Sequence, residues 1–211
     1  RSPEKLDLNT LAVDTGHFRP SPDEIDRRCA RLLVGEPLRV LNVGTFSFQK
    51  GMWDMTEIIR QLGVDDFRFQ FVGPVAPETN ALVCQLKSFA TFTPKQPQDK
   101  LPDSYAWGDV FVLPSIQDGF AMVLAQAIAS GLPILTTEHS GGPDLIIEGK
   151  TGWILPIRSP EAFIERLRWC HTHRSELTEM VRTIYQSYRP RDWSDMARDF
   201  EHLCLAYLAN P

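Results

Sequence analysis

Residues 110–136 constrain the fold of this chain more than any other stretch. An apolar run from Val110 to Leu113 stops at Pro114-Ser115, a turn at Gly119-Phe120 follows, and a small-residue pattern of helical type leads to Gly131-Leu132-Pro133 and a second apolar run. This reads as strand, loop, helix, strand, with the helix N-terminus beside the carboxyl end of a parallel strand. Unpaired backbone amides and the positive end of the helix dipole meet at such a junction, which suits a phosphate. Asp118 and Gln126 stand eight residues apart, the first just before the helix and the second about two turns into it. Both are therefore expected to face one bound ligand.

The same alternation extends along the chain. Short β-rich runs at 38–43, 67–72, 90–92, 109–113 and 133–136, with a weaker one at 152–155, are separated by stretches long enough for helices. Parallel βαβ units follow, hence an α/β fold with a doubly wound parallel sheet of Rossmann-like type. Residues 22–33 predict a helix capped by Ser21, with Asp23 and Glu24 suited to its first turn. Residues 160–171, 174–188 and 192–208 predict three consecutive helices, separated by His173 and by Arg189-Pro190-Arg191.

Composition narrows the function classes. A hydrophobic fraction of 43% with 10% aromatic residues is ordinary for a soluble globular protein. The net charge of −5, from 22 basic and 27 acidic residues with no basic block, argues against nucleic acid as a partner. Any bound anion should be small and locally held. Cys29, Cys84, Cys170 and Cys204 are widely spaced with no Cys-x-x-Cys pair, which speaks against a zinc site or a disulfide scaffold and suits a reducing cytoplasm. No run approaches the roughly 20 apolar residues of a membrane span, and no signal peptide opens the sequence. His171 and His173 would project about 200° apart on a helix, so no metal is expected there. His139, just after the 133–136 run, is a candidate to face the cleft.

These landmarks resemble the glycosyltransferase group 1 family, nucleotide-sugar-dependent retaining enzymes of two-Rossmann-domain (GT-B) architecture. The family signature is an acid, seven residues and a second acid, set in Pro-Ser-x-x-Glu-Gly-Phe-Gly. Here it reads Pro114-Ser115-Ile116-Gln117-Asp118-Gly119-Phe120-Ala121, with Gln126 at the second acid. Val13-Asp14-Thr15-Gly16-His17-Phe18-Arg19-Pro20 is similar to the segment leading into the family's C-terminal domain, and Leu41 to Gly51 to its first strand and phosphate loop. Ser140-Gly141-Gly142-Pro143-Asp144-Leu145-Ile146, Gly149-Lys150-Thr151-Gly152 and Trp193 match later landmarks in the same order.

The resemblance implies a division into a linker and lead-in helix (1–37), a donor-binding domain (38–190) and a C-terminal crossover helix (191–211). It also implies an N-terminal acceptor-binding domain of the same protein as partner, through which any peripheral membrane contact would run. The chain, beginning at Arg1, is then expected to be the donor-binding half, inactive alone, with Trp193, Phe200, Leu203 and Tyr207 partly uncovered.

By the same resemblance, Gly44, Thr45 and Lys50 form the phosphate loop, Lys50 neutralising a diphosphate and Thr45 standing where the family has Arg. Asp118 accepts from hexose hydroxyls, the amides of Gly119, Phe120, Ala121, Met122, Val123 and Leu124 cradle sugar and diphosphate, Gln126 binds ribose, and Phe92-Thr93 lies at the base-binding edge. Ala121 in place of Gly requires a negative φ. Asp118 and Lys50 are the catalytic pair, with no metal and no cofactor beyond the nucleoside diphosphate sugar as co-substrate. Since Asp118, Gln126 and Thr45 are weaker ligands than the family's residues, a non-catalytic or degenerate sugar-nucleotide-binding module is the alternative.

Overall fold

A computed structural model of the chain describes residues 12–188 and 191–209; the first eleven residues of the expected linker and Arg189-Pro190 of the expected helix break lie outside the described residues. Six strands, β1 (Leu38–Val43), β2 (Phe67–Val72), β3 (Ala90–Thr93), β4 (Val110–Leu113), β5 (Ile134–Thr137) and β6 (Gly152–Leu155), form one sheet in the order β3-β2-β1-β4-β5-β6. Every neighbouring pair is parallel. The helices are α1 (Thr15–Phe18), α2 (Pro22–Val34), α3 (Met52–Leu62), α4 (Asn80–Leu86), α5 (Leu101–Trp107), α6 (Met122–Ala129), α7 (Gly142–Leu145), α8 (Pro160–Thr172), α9 (Arg174–Ser187) and α10 (Trp193–Ala209).

The doubly wound sheet expected from the alternation is thus observed. β4 and β5 are buried along their whole lengths, as parallel strands between two helical layers must be. The 133–136 run enters the sheet one residue later than its pattern suggests, as β5 at Ile134. Pro133 accepts from the Phe111 amide at 2.9 Å but has no amide of its own to continue the ladder. Strand order runs outward from β1 to β3, then returns past β1 to β4. At that reversal the connections leave in opposite directions, and a crevice opens at the carboxyl ends of β1 and β4.

α2 starts on a capping box in which Ser21 and Glu24 satisfy each other's amides, and it ends at Gly35 with φ 82°. Its Ile25, Cys29 and Leu32 are buried in the same core as the sheet, so the lead-in helix packs into the domain. Arg28, only 2% exposed, fastens it there. Its guanidinium donates to the carbonyl oxygens of Ser130 (2.9 Å), Gly131 (3.2 Å) and Tyr105 (2.9 Å), which lie at the C-terminal ends of α6 and α5 and lack helical donors. Burial lowers its pKa to about 10, against the opposing pull of Asp109, so the group stays cationic at neutral pH.

The three C-terminal helices fall within a residue or so of their expected bounds. His171 and His173 do diverge: the first lies 3.7 Å from Asp66 and the second stacks on Trp169. α10 leaves Trp193, Phe200, Leu205, Tyr207 and Leu208 exposed, while Leu203 is half-buried. No helix among the described residues is long and apolar enough to cross a membrane.

Replacing Arg28 by Met should leave three buried carbonyls without a donor and lower the unfolding free energy by about 3 kcal/mol. Urea denaturation measures this. A loss below about 1 kcal/mol would mean that the arginine does not fasten α2 to α5 and α6.

Candidate functional site

Three loops at the carboxyl edge of the sheet are tied together around the reversal between β1 and β4. The first follows β1. Gly44 donates to Val72, and Phe46 forms a bridge with Val75 while its ring meets those of Phe71 and Phe92 at 5.0 and 5.4 Å. Anchored by that ring, the loop turns at 47–51 and enters α3 through Gly51, which has φ 74°. A Cβ at this position would lie 1.7 Å from the carbonyl oxygen of Pro114, so only glycine lets the loop pass so close to the end of β4.

The second loop, after β4, is stitched to the first. The Ile116 amide (2.9 Å) and the Ser115 hydroxyl (3.2 Å) both donate to the Gln49 carbonyl, and the Gln49 side chain donates to the Gln117 carbonyl at 3.1 Å. The third loop, after β5, closes the set: the Thr137 hydroxyl donates to Ser115 at 2.6 Å, and the Asp118 amide donates to the His139 carbonyl at 2.8 Å. Within this frame Lys50 and Asp118, 68 residues apart, form a partly buried salt bridge.

Beside the pair opens a cavity of about 590 Å³ whose lining includes Ile116, Asp118, Glu138, His139 and Ile157. Its carboxylates and carbonyls suit a polyhydroxylated ligand better than an anion. His139 lines it, with its Nδ1 at 3.2 Å from the Ile116 carbonyl oxygen, which leaves Nε2 as the ring's other polar atom. Ile157 is followed by Arg158, a non-glycine residue at φ 52°. The buried Asp54, in the first turn of α3, holds it there; burial raises the Asp54 carboxyl's pKa and Arg158 opposes the rise.

The structure revises several expected placements. α6 begins at Met122 with Ala121 as its N-cap residue, so the helix starts later than Gly119. Gln126 therefore sits one turn into α6 rather than two. It is 5% exposed, and its Oε1 accepts from the Tyr105 hydroxyl at 2.9 Å: the side chain turns into the core beneath the helix. Ala121 has φ −70°, which meets the condition for a residue other than glycine. Among the described residues the amides of Gly119, Phe120 and Ala121 have no main-chain acceptor, those of Met122 and Val123 lie in the first turn of α6, and the Leu124 amide bonds to Ala121 at 2.8 Å. Gly44 and the exposed Thr45 lie in the first loop with Lys50.

Phe92 is engaged with Phe46 and Phe71, and the Thr93 carbonyl accepts from Gly73 at 2.9 Å. Both stand at the carboxyl end of edge strand β3, three strand spacings from β4, or about 14 Å. Gln49, Ser115 and Thr137, which hold the loops in register, are not among the residues picked from the sequence. Ser115 stands in the Pro-Ser motif, whereas Gln49 and Thr137 carry no comparable local signal.

A doubly wound parallel sheet whose order reverses between β1 and β4, with a polar cavity at the carboxyl ends of β4 to β6, defines a domain of Rossmann-like type. The family model for glycosyl transferases group 1 matches residues 37–173, and the chain belongs to that family. It is 30% identical to the sulfoquinovosyl transferase of Arabidopsis thaliana over 90% of this chain and 38% of that protein. Among solved structures it resembles Anabaena HepE in complex with UDP and glucose (TM-score 0.77, 15% identity, 94% of this chain and 56% of that one). It also resembles the C-terminal domain of a group 1 family protein from Francisella tularensis (TM-score 0.67, 18% identity, 82% of this chain and 94% of that one). The fold is that of the C-terminal domain of GT-B glycosyltransferases. The chain spans less than half the length of the curated relatives it matches.

Gly51→Ala should force the first and second loops apart. We expect a loss of at least about 2 kcal/mol in unfolding free energy, because both the left-handed φ and the Pro114 contact are violated. Amide shifts at Ile116 and Asp118 should move together with those at Gln49 and Lys50. An unchanged melting curve would show that the close passage is not required.

Proposed function

We propose that this chain is the donor-binding half of a retaining glycosyltransferase that moves a hexose from a nucleoside diphosphate sugar to an acceptor. The observation that carries the reading is the Lys50–Asp118 pair, whose Asp118 lines the hydroxyl-suited cavity and is followed directly by the amides of 119–121, which have no main-chain acceptor among the described residues. The two partners neutralise each other in the free protein. A diphosphate arriving at the α6 N-terminus takes over Lys50, and the released Asp118 carboxylate then accepts from hexose hydroxyls in the cavity beside His139. The complex of Anabaena HepE with UDP and glucose supports a donor of this class.

In the transfer step the bond from the anomeric carbon to the diphosphate breaks, and negative charge gathers on the departing oxygens. Lys50 and the amides of 119–123 meet that charge as it develops, an interaction stronger in the transition state than in the ground state. Gln126 acts in this reading through Tyr105, setting the position of α6. The exposed aromatic residues of α10 are the surface on which an N-terminal acceptor-binding domain docks. The mutual neutralisation of Lys50 and Asp118, with Gln126 committed to the core, is also what a sugar-nucleotide-binding module without turnover would show. Donor hydrolysis or transfer by the complete protein separates the two readings.

Calorimetry with UDP, GDP and ADP should find saturable binding of at least one; binding of none at millimolar concentration would remove the donor-domain reading. Lys50→Ala should weaken the bound diphosphate by about 1–2 kcal/mol and leave the matching nucleoside unaffected.

Asp118→Asn frees Lys50 from its partner. It should tighten the free nucleoside diphosphate about two- to fivefold while lowering turnover in the complete enzyme. Weakened nucleotide binding in this variant would contradict the exchange of partners.

A further inference from the structure

The amino-terminal edge of the sheet, opposite the three loops, carries a second concavity of about 820 Å³. Arg39 on β1 and Arg68 on β2 are register partners there, so their side chains leave the same face of the sheet about 5 Å apart. Like charges placed directly opposite on neighbouring strands repel. Arg39 is compensated: it reaches Glu36 at 3.2 Å and lies 5.9 Å from the Trp107 ring centroid.

Arg68 has main-chain carbonyls only, those of Val64 and Phe67. Among the described residues neither Arg68 nor Lys87, which also lines the concavity, has a carboxylate within ion-pair distance. Two basic side chains without an ion-pair partner thus share a lining whose one acid is Asp65, on a chain whose net charge is −5. Phe89 and Trp107 supply apolar walls.

We propose that this concavity is a second anion site, one that takes a phosphomonoester. Arg68 and Lys87 hold the phosphoryl oxygens, and Phe89 and Trp107 flank the group attached to them. A phosphomonoester is close to a dianion above its second pKa of about 6, which matches two uncompensated cations. The planar guanidinium fork suits two of its oxygens at once. The six residues of β1, about 20 Å of strand, separate this edge from Lys50, so the two sites fill independently.

The test is an amide-shift titration of the isotopically labelled chain at pH 7.5 and constant ionic strength, with phenyl phosphate and with inorganic phosphate. Saturable shifts are expected at residues 64–69 and 87–91, with phenyl phosphate bound at least about threefold more tightly because of the aromatic walls. Combined Arg68→Gln and Lys87→Gln should weaken both by about tenfold or more, whereas Lys50→Ala should leave these shifts unchanged.

Arg68 and Lys87 are exposed, so the paired variant should keep the parent circular dichroism spectrum, and Lys87→Gln alone should give an intermediate affinity. Sedimentation with phosphatidylcholine vesicles containing phosphatidic acid identifies the source of the ester. Binding that the paired variant loses assigns it to a lipid headgroup, and its absence alongside phenyl phosphate binding assigns it to a soluble molecule. Shifts that grow without saturation and are matched by chloride, or an affinity retained in the paired variant, would overturn the proposal.

Discussion

The passage of Gly51 over the Pro114 carbonyl is the contact on which the carboxyl edge of this domain depends. A sheet whose order reverses between β1 and β4 opens a crevice there by topology alone. Topology does not decide how wide that crevice is. A residue without a Cβ lets the loop after β1 approach the end of β4 closely enough for Gln49 to bond Ile116, Ser115 and Gln117. Those bonds set the register that brings Lys50 and Asp118 together, and Thr137 and His139 then tie in the third loop.

Charge is handled differently in the interior and at the site. Arg28 is buried and still cationic, with its guanidinium spent on three helix-end carbonyls. Such an arrangement is rigid, because moving the side chain strands several buried acceptors at once. Lys50 and Asp118 form a pair that remains partly exposed, and a ligand able to offer each of them a new partner can exchange it at small cost. The fixed cation sits away from the crevice and the exchangeable one within it, as expected if one maintains the fold and the other meets a ligand.

The architecture was legible because its signals are local. Alternating apolar runs and helical periodicities fall within the reach of a few residues, and the strands and late helices lie within a residue or two of where those patterns put them. Ser21 with Glu24 announces a helix start in four residues, and the observed capping box agrees. Family membership was legible for a related reason: ordered short motifs survive where overall identity is low.

The site was legible in outline only. Lys50 and Asp118 each stand out in the sequence as candidates, but the salt bridge between them joins residues 68 positions apart through a loop register that no short pattern encodes. The eight-residue spacing puts Gln126 about two turns into a helix that starts near Gly119, facing the same ligand as Asp118. The helix begins at Met122, and the Tyr105 hydroxyl, on a different helix, draws the amide inward. By itself, then, the sequence determined the order and kind of the elements, the family and the edge of the sheet where the candidate residues gather, since periodicity, capping and short motifs act between near neighbours. Tertiary structure alone decided which side chains face the crevice and which partners they hold there, since those choices depend on distances between segments that only packing brings together.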